Sequence, residues 1–560
     1  MGHSIPIPSS YRQIVQQNQE ELQALIDNGA VKPFFLYHLL IYTGLPLLAL
    51  LVPERKGSKY VRPVIFALIL SIAIEVIRYR RALLAANGYL VGLMLSWWVF
   101  WCAALLLFTD PEKDFKRIER KPTISINAQD NPQAVQNGNG AVMSEDMEIF
   151  NWNGTSRSTS GGTTCSAELC RPGFSSYHSL PTQPSNQHEQ LEWQGYPHPL
   201  LHRINWTLGL LLNMRGPEWN WRIPTLEPLP KTLHHQLNLQ HSDKSCEKAE
   251  AKYRTGKARI NAALLSFLKS YLCLDLAKSL MMRDHYFWGV ISAPPPPFLF
   301  NYVAGYPVLY SLYRLHLVAF GIVAALSYAL SFCPMIFLGL SLAFPNASQG
   351  LTSVPLDAPW LYSDLFGPFI FPVLDNGLAG CWGQWWHQLF RFGFTCPARW
   401  FLSLLPEKLS SNRQFRRIVM TLFAFTISGT IHACGSYTQF ADTKPLSGPL
   451  LYFFLQAVGI LIQNVFARVL LPNISPCEFP RWIRRAGNFA FSYTWLMVSG
   501  PLIADDFTKG GVWLTEPVPI SFFRGLGLIG NGDEGWWCWH GPWFRYWSDG
   551  SWWQRGVQIL

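Results

Sequence analysis

Charged side chains are scarce in this chain, since Asp, Glu, Lys and Arg together make up 14% of its 560 residues. A soluble domain usually contains about 25% charged residues. The shortage is concentrated in long apolar runs that alternate with polar connections, which is the pattern of helices that cross a bilayer. The composition therefore argues against a soluble enzyme and favours an all-α, polytopic transmembrane helix bundle.

The sequence also lacks the cysteine patterns of other protein classes. Its eleven cysteines are scattered, and only Cys165 and Cys170 lie close together. We therefore expect neither a disulfide framework nor a bound metal. No internal repeat is visible, which disfavours a transporter built from inverted halves. The N-terminal residues lack the basic-then-apolar order of a cleaved signal peptide.

The net charge of +10 is not gathered into a separate basic domain. The basic residues flank apolar runs instead, so nucleic acid is not an expected partner. Positive loops beside membrane helices suit anionic lipid head groups. They also attract an anionic cosubstrate such as coenzyme A.

A helix needs about 20 apolar residues to span the hydrocarbon core. We predict about eight membrane segments on this basis. The candidates are Phe34–Val52, Pro63–Ile77, Gly88–Phe108, Ala258–Leu280, Tyr310–Leu342, Ile418–Gly435, Leu450–Leu471 and Phe489–Ala504. The fourth of them contains Lys269 and Asp275, so it lies in the interface, lines the bundle interior or spans.

Composition divides the chain into four parts. Residues 1–121 form an N-terminal region with three membrane helices. Residues 122–200 are rich in Asn, Gln, Gly and Ser and hold too few apolar side chains to fold, which predicts a low-complexity disordered insert. Residues 201–535 form a second membrane domain. Residues 536–560 form a tryptophan-rich tail, which we interpret as a membrane-surface anchor.

The first candidate site is the aromatic stretch Trp382–Arg391. On a helix, His387 shares a face with Gln384 and Arg391, at spacings of three and four residues. This pattern predicts an aromatic wall with a polar stripe at the edge of a reaction chamber. The alternative is an interfacial aromatic belt in which His387 binds only a backbone carbonyl.

The second candidate is His432, which lies within an otherwise apolar run. Ser428 is one turn earlier on the same face, and Gly429 leaves space beside the imidazole. An ionisable side chain in the hydrocarbon region is costly and usually faces a cavity or a partner. His432 is therefore a candidate general base, and the alternative is a hydrogen bond between helices.

The third candidate is the segment Arg215–Trp221, which follows the insert. Arg215 could bind a phosphate group through its guanidinium. The alternative is a structural turn that is held by an ion pair between Arg215 and Glu218.

These motifs, with the stretch Leu365–Pro368, resemble the fungal wax synthase-like branch of the membrane-bound O-acyltransferases. The resemblance extends over most of the chain outside the insert and implies that residues 201–535 are the catalytic domain. It implies transfer of an acyl group from acyl-CoA to a hydroxyl inside a membrane tunnel. The histidine at His432 is the implied base, and His387 lies at the position of the family's tryptophan-rich motif.

The resemblance also implies acetylation of a terpenoid or meroterpenoid hydroxyl in secondary metabolism, with acetyl-CoA as cosubstrate and no bound cofactor. We expect direct transfer at a multi-pass protein of the endoplasmic reticulum, with a hydrophobic hydroxylated small molecule as acceptor. The expected catalytic residues are His432 and His387. The expected substrate-binding residues are Ser428, Gln384, Trp386 and Arg391, and those expected to meet coenzyme A are Arg215 and Arg399.

Three other functions remain open. A long-chain alcohol in place of the terpenoid gives a wax ester synthase. A proton-coupled transporter would use His387 and His432 as a proton relay. A haem protein of electron transfer would use both histidines as axial ligands.

Overall fold

The computed structural model describes residues 10–55, 58–121, 190–237, 252–296, 305–470, 473, 479–529, 535–551 and 554–560. Most of the predicted insert, residues 122–189, lies outside the described residues. The described residues form a bundle of helices with short strands.

The longer helices carry the labels used below. They are α1 Tyr11–Asp27, α2 Leu36–Leu51, α3 Val61–Tyr79, α4 Tyr89–Leu106, α5 Leu200–Leu212, α6 Gly256–Met281, α7 Pro307–Ala343, α8 Ile370–Gly380, α9 Arg391–Ser403, α10 Arg413–Thr438, α11 Leu446–Arg468, α12 Arg481–Ser499 and α13 Pro501–Lys509. Shorter helices span Leu84–Asn87, Pro111–Asp114, Lys231–Gln236, His285–Trp288, Pro345–Leu351, Pro359–Leu361, Glu407–Ser410, Val512–Leu514 and Phe522–Gly525. The strands are β1 Lys32–Phe35, β2 Arg80–Arg81, β3 Arg117–Arg120, β4 Leu191–Gln194, β5 Phe544–Ser548 and β6 Arg555–Ile559.

Within the described part of the chain, five helices are long and apolar enough to cross a membrane, namely α4, α6, α7, α10 and α11. The shorter helix α2 is also apolar, and α3 occupies the second predicted segment. The predicted all-α membrane helix bundle is confirmed.

The ambiguous fourth segment is the long helix α6. Its charged residues Asp275 and Lys278 point into protein, whereas Lys269 is exposed. Asp275 is fully buried and accepts hydrogen bonds from the Ser521 hydroxyl at 2.5 Å and the Phe522 N–H at 2.7 Å. Lys278 is also buried and donates to the carbonyl oxygen of Trp513 at 2.5 Å. Because Asp275 and Lys278 are partnered inside the fold, neither of them prevents the apolar side of α6 from facing lipid.

The last predicted segment, Phe489–Ala504, is corrected by the structure. Helix α12 begins eight residues earlier, at Arg481, and ends at Ser499, and α13 starts at Pro501. Pro501 has no N–H to continue the hydrogen-bond ladder of α12, so the helix breaks there.

Helices α4 and α10 cross at very close range, and this crossing positions the candidate site. A Cβ atom at Gly92 would collide with the carbonyl of Cys434. The Thr438 hydroxyl accepts a hydrogen bond from the Gly92 N–H at 3.0 Å and lies 3.0 Å from the carbonyl of Gly88. The small residues let the two backbones touch, which brings the start of α4 against the last turns of α10.

The tryptophan-rich tail is not only a surface segment. Its strands β5 and β6 form an antiparallel hairpin, and β6 pairs with β1 near the N-terminus. Strand β2 joins the other edge of β1 in parallel. Trp537, Trp543, Phe544 and Tyr546 remain exposed, so the predicted interfacial role is compatible with this sheet, but the tail also ties distant parts of the chain together.

The predicted insert ends earlier than residue 200. Strand β4 pairs with β3 over four residues, with Ile118 opposite Trp193. Helix α5 follows directly and buries Trp206 completely. The composition of residues 190–200 misled the prediction because the strand is held by β3, which lies before the insert in sequence.

Candidate active site

His432 lies within α10, a continuous helix that Asn412 caps. The Asn412 side chain accepts hydrogen bonds from the N–H groups of Gln414 at 3.0 Å and Phe415 at 3.1 Å. These bonds satisfy backbone donors that a helix start leaves unpaired. A capped, closely packed helix gives His432 a rigid support.

Two aromatic residues from other helices hold the His432 imidazole. The Tyr89 hydroxyl makes a hydrogen bond with Nδ1 of His432. The ring of Phe453 stacks on the imidazole at 4.4 Å between centroids, with 22° between the planes. The hydrogen bond occupies Nδ1, so Nε2 is the nitrogen that remains for chemistry.

The pairing with Tyr89 sets a condition on the tautomer of His432. A neutral imidazole carries one proton, and a base at Nε2 therefore requires that proton on Nδ1. Nδ1–H then donates to the hydroxyl oxygen of Tyr89. Tyr89 itself is buried and packs edge-on against Phe507 at 4.9 Å. The arrangement orients the imidazole as a second hydrogen-bonding group commonly does at catalytic histidines.

The stretch around His387 is not one helix, contrary to the prediction. Helix α8 contains Gly377 in a left-handed conformation, with φ of 60°, and passes into a π-helical turn, Cys381–Trp385. The backbone then turns extended at Trp386, with ψ of 143°. The chain resumes a helix only at Arg391. Gln384, His387 and Arg391 therefore do not share a helix face.

Gln388 holds this broken turn together, and sequence reasoning missed it. Its amide donates to the carbonyl oxygens of Trp382 at 2.8 Å and Trp386 at 2.7 Å. Arg391 donates to the Gln388 side-chain oxygen at 2.9 Å and to the Gly383 carbonyl at 3.1 Å. Arg391 thus braces the turn, whereas a substrate-binding role for it stays a prediction.

His387 sits in an aromatic cage with a free ring nitrogen. Phe390 packs edge-on against the imidazole at 5.6 Å, and Phe366 does so at 6.3 Å. Its buried Nδ1 has no hydrogen-bond partner among the described residues. Burial, and then the positive charge of nearby Arg215, lower the pKa of His387 to about 4. His387 is therefore neutral at pH 7, and the hydrogen-bonding capacity of its buried Nδ1 is unused among the described residues.

A run of aromatic rings connects the two histidines. Trp386 packs beside His387 at 5.1 Å and beside Trp382 at 5.7 Å. Trp382 in turn contacts Phe453 at 6.0 Å, the ring on which His432 stacks. The structure thus brings His387, Trp386 and His432 to one aromatic-walled region. Ser428 belongs to the same region, half-buried one turn before His432.

The two arginines that were expected to meet coenzyme A differ in their surroundings. Arg215 donates to the carbonyl oxygens of Ser363 and Asp364, each at 2.7 Å. It thereby fastens the loop that carries Phe366 beside His387. Arg399 is exposed and donates to the Thr395 hydroxyl at 3.1 Å. Of the two, Arg399 is the one whose position leaves it accessible to a phosphate.

The alternative for the third motif, an ion pair between Arg215 and Glu218, is wrong. Glu218 is buried and accepts from the amide of Asn213 at 2.6 and 2.7 Å. The Trp219 indole N–H also donates to it at 3.2 Å. Glu218 thus holds the segment through Asn213 and Trp219, and a role of Arg215 in binding coenzyme A stays a prediction.

Residues 362–456 match the model of the membrane bound O-acyl transferase family. This segment contains His387, His432 and Phe453. The predicted family resemblance is confirmed. Tyr89 and Arg215, which position the histidines and their loop, lie outside the matched residues.

Fungal proteins with transferase names are similar to this chain. O-Mevalon transferase yanI of Aspergillus niger is 28% identical over 280 residues, which are 48% of this chain and 53% of that protein. O-Mevalon transferase macI of Penicillium terrestre is 26% identical over 53% of this chain and 61% of its own length. Acetyltransferase eriL of Hericium erinaceus is 30% identical over 34% of this chain and 56% of its own length.

The chain thus spans little more than half the length of these curated relatives. No solved structure matches it significantly.

Proposed function

We propose that this chain is an O-acyltransferase that moves an acyl group from acyl-CoA to a hydroxyl of an apolar acceptor. The observation that carries the proposal is the His432 imidazole. It lies within a membrane-spanning helix, is bound at Nδ1 by Tyr89, and belongs to the segment that matches the acyltransferase family. Such a histidine has the neutral form and the orientation that a general base needs.

In the proposed reaction, Nε2 of His432 accepts the proton of the acceptor hydroxyl while the hydroxyl oxygen attacks the thioester carbonyl carbon. The carbonyl becomes an oxyanion, and the C–S bond then breaks. The departing thiolate takes the proton back from His432, so the transfer is balanced in protons. A positioned general base contributes about 10²–10⁴-fold to such a rate.

His387 is the candidate donor to the oxyanion. Its neutral imidazole carries one N–H, and its Nδ1 is unpaired among the described residues. The aromatic cage of Phe366, Trp386 and Phe390 keeps water from this donor. A hydrogen bond to developing charge is strongest in such a dry environment. Ser428, Gln384 and Trp386 line the acceptor's approach in this proposal.

The names of the relatives support a narrower assignment. Several are named acetyltransferases and two are named O-Mevalon transferases, all from fungi. We propose acetyl as the acyl group, a terpenoid or meroterpenoid as the acceptor, and the endoplasmic reticulum as the location. Arg399 is the proposed contact for the phosphates of coenzyme A, because it is the more exposed of the two arginines.

The test is thiol release from acetyl-, octanoyl- and palmitoyl-CoA in microsomes, with a mixed terpenoid, sterol and alcohol extract as acceptor. The variant His432→Ala is compared with His316→Ala, which removes an exposed histidine on α7. We expect extract-dependent release that His432→Ala abolishes and His316→Ala preserves. Equal release by the intact chain and by His432→Ala would refute the proposed base. The donor preference separates acetyl transfer from wax ester synthesis.

A further inference from the structure

Three consecutive backbone carbonyls in the loop before α8 are bound by arginine side chains. The guanidinium of Arg259, near the start of α6, donates to the carbonyl oxygen of Tyr362 at 2.5 Å. Arg215 donates to the next two carbonyl oxygens, those of Ser363 and Asp364. This stretch lies outside helices and strands, so the arginines bind acceptors that no regular backbone ladder pairs. The path of the loop is therefore set by side chains from distant parts of the chain.

The carboxylate of Asp364 makes a second set of contacts on the same loop. Lys252 forms an ion pair with it, and the Tyr253 hydroxyl lies 3.2 and 3.3 Å from its two oxygens. The Arg259 guanidinium lies 3.7 Å from Oδ1 of Asp364 and packs over the Tyr253 ring at 4.9 Å. Arg259 is buried and takes part in both sets of contacts. Asp364 thus ties the loop to the start of α6 and to the residues just before it.

The other end of this loop contacts the broken turn that carries His387. The Gly367 N–H donates to the carbonyl oxygen of Trp385 at 3.0 Å. A Cβ atom at Gly367 would collide with the backbone of the turn, so the loop and the turn are in direct contact. Phe366 lies edge-on to the His387 ring at 6.3 Å. Asp364 is only two residues before Phe366, so a shift of Asp364 moves the ring that borders His387.

The charges around the loop explain why a carboxylate occupies position 364. Arg215, Arg259 and Lys252 bring three positive charges, and Arg215 lies in the field of the Asp364 and Glu227 carboxylates. Hydrogen bonds between ionised partners are shorter and stronger than neutral ones. The Asp364 side chain is 36% exposed, so solvent screens part of this attraction. The contacts therefore orient the loop more than they stabilise the fold.

We propose that Asp364 is a positioning residue for the acyl transfer, which acts through Phe366 to hold the His387 imidazole in line with the developing oxyanion. This inference rests on the proposed function, because it takes His387 as the oxyanion donor. Asp364 has no part in the bonds that form or break. A donor acts best when its orientation is fixed before the charge develops. A misplacement of about 1 Å, caused from a distance, can cost about 10²-fold in rate.

The experiment is a double-mutant cycle with the full-length protein in microsomes. The values of kcat and of KM for the preferred acyl-CoA are measured for Asp364→Asn, Asp364→Glu, His387→Ala and the double variant Asp364→Asn/His387→Ala. Thiol release and mass spectrometry of the ester product give the rates, and Tm of each purified variant reports its folding. The matched control is Asp357→Asn, because Asp357 forms an ion pair with Arg120 in the same connection between α7 and α8.

We expect Asp364→Asn to lower kcat about tenfold and to leave KM for acyl-CoA unchanged, since it loosens the donor without touching the bound thioester. Asp364→Glu keeps the negative charge and should recover part of the loss. Asp357→Asn should keep full activity. When His387 is already alanine, Asp364→Asn should cost nothing further, because the group that it positions is absent.

An equal fall of kcat from Asp364→Asn with and without His387 would overturn the inference and leave the proposed function intact. Full activity of Asp364→Asn would do the same. Full activity of His387→Ala would instead overturn the proposed role of His387, and this inference with it. If Asp364→Asn does not fold, Tyr253→Phe replaces it in the cycle. Tyr253→Phe removes one hydroxyl and keeps the ring under Arg259, and it should show a smaller loss with the same dependence on His387.

Discussion

The two histidines of the candidate site are held in opposite ways. His432 lies within a continuous, capped helix, and Tyr89 and Phe453 fix its ring. His387 follows a break in the backbone, and aromatic rings surround it without any hydrogen bond to Nδ1 among the described residues. The imidazole of His432 is thus oriented by a hydrogen-bonding partner, whereas Nδ1 of His387 has no such partner among the described residues.

This difference teaches how a single residue type can serve two roles. A general base must present one lone pair in a fixed direction, so it benefits from a hydrogen bond at its other nitrogen. A donor to an oxyanion must have its hydrogen-bonding capacity unspent until the charge develops. The surroundings of His432 fit the first role and those of His387 fit the second.

The largest loss of activity should come from substitution of His432. We expect His432→Ala to lower kcat by about 10²–10⁴-fold, because no other group in the transfer accepts the hydroxyl proton. The change in kcat is measured by thiol release, together with mass spectrometry of the ester product. A loss of less than about tenfold, with normal folding, would mean that His432 is not the base.

The next effect separates the second histidine from the first. We expect His387→Ala to lower kcat by about 10²-fold, the cost of one oxyanion donor. His387→Gln keeps an N–H donor and should recover part of that loss, whereas His432→Gln should recover none. If glutamine rescues neither or both positions, the two roles are not divided in this way.

A smaller loss of kcat should follow when the His432 imidazole loses only its hydrogen bond to Tyr89. Tyr89→Phe removes the hydroxyl that binds Nδ1 and keeps the ring that packs against Phe507. We expect kcat to fall about tenfold, the weight of one hydrogen bond. KM for acyl-CoA should stay unchanged. Tyr328→Phe on α7 is the matched control, and an equal loss in both variants would indicate a general packing defect.

The sequence predicted the helices and the two histidines but not what surrounds them. Apolar runs of adequate length predicted the membrane segments. A histidine in such a run is a candidate functional residue, because an ionisable side chain is costly in lipid. The partner of His432 was hidden, because Tyr89 lies 343 residues away. Spacing along one helix carries no information about such a pair.

The break at Trp386 was missed for a different reason. Residues 382–391 contain no proline. Gln384, His387 and Arg391 also have the spacing of residues on one helix face, which predicts a continuous helix. The break is held by tertiary contacts, namely Gln388 on two backbone carbonyls and Arg391 on Gln388. Local propensity is overruled when buried polar side chains satisfy the backbone of a turn.

The smallest expected effect is on the pH dependence of stability, and it tests the surroundings of His387. An unfolded histidine has a pKa near 6.5, whereas burial and Arg215 lower that of His387 to about 4. Between these values the unfolded chain holds more protons, so stability falls as pH drops from 6.5 towards 4, by about 3 kcal/mol in total. His387→Gln removes this contribution, and Tm measured from pH 7 to pH 4.5 should therefore fall less steeply in the variant. Parallel Tm profiles would show that the His387 cage admits solvent and cannot serve as a dry donor site.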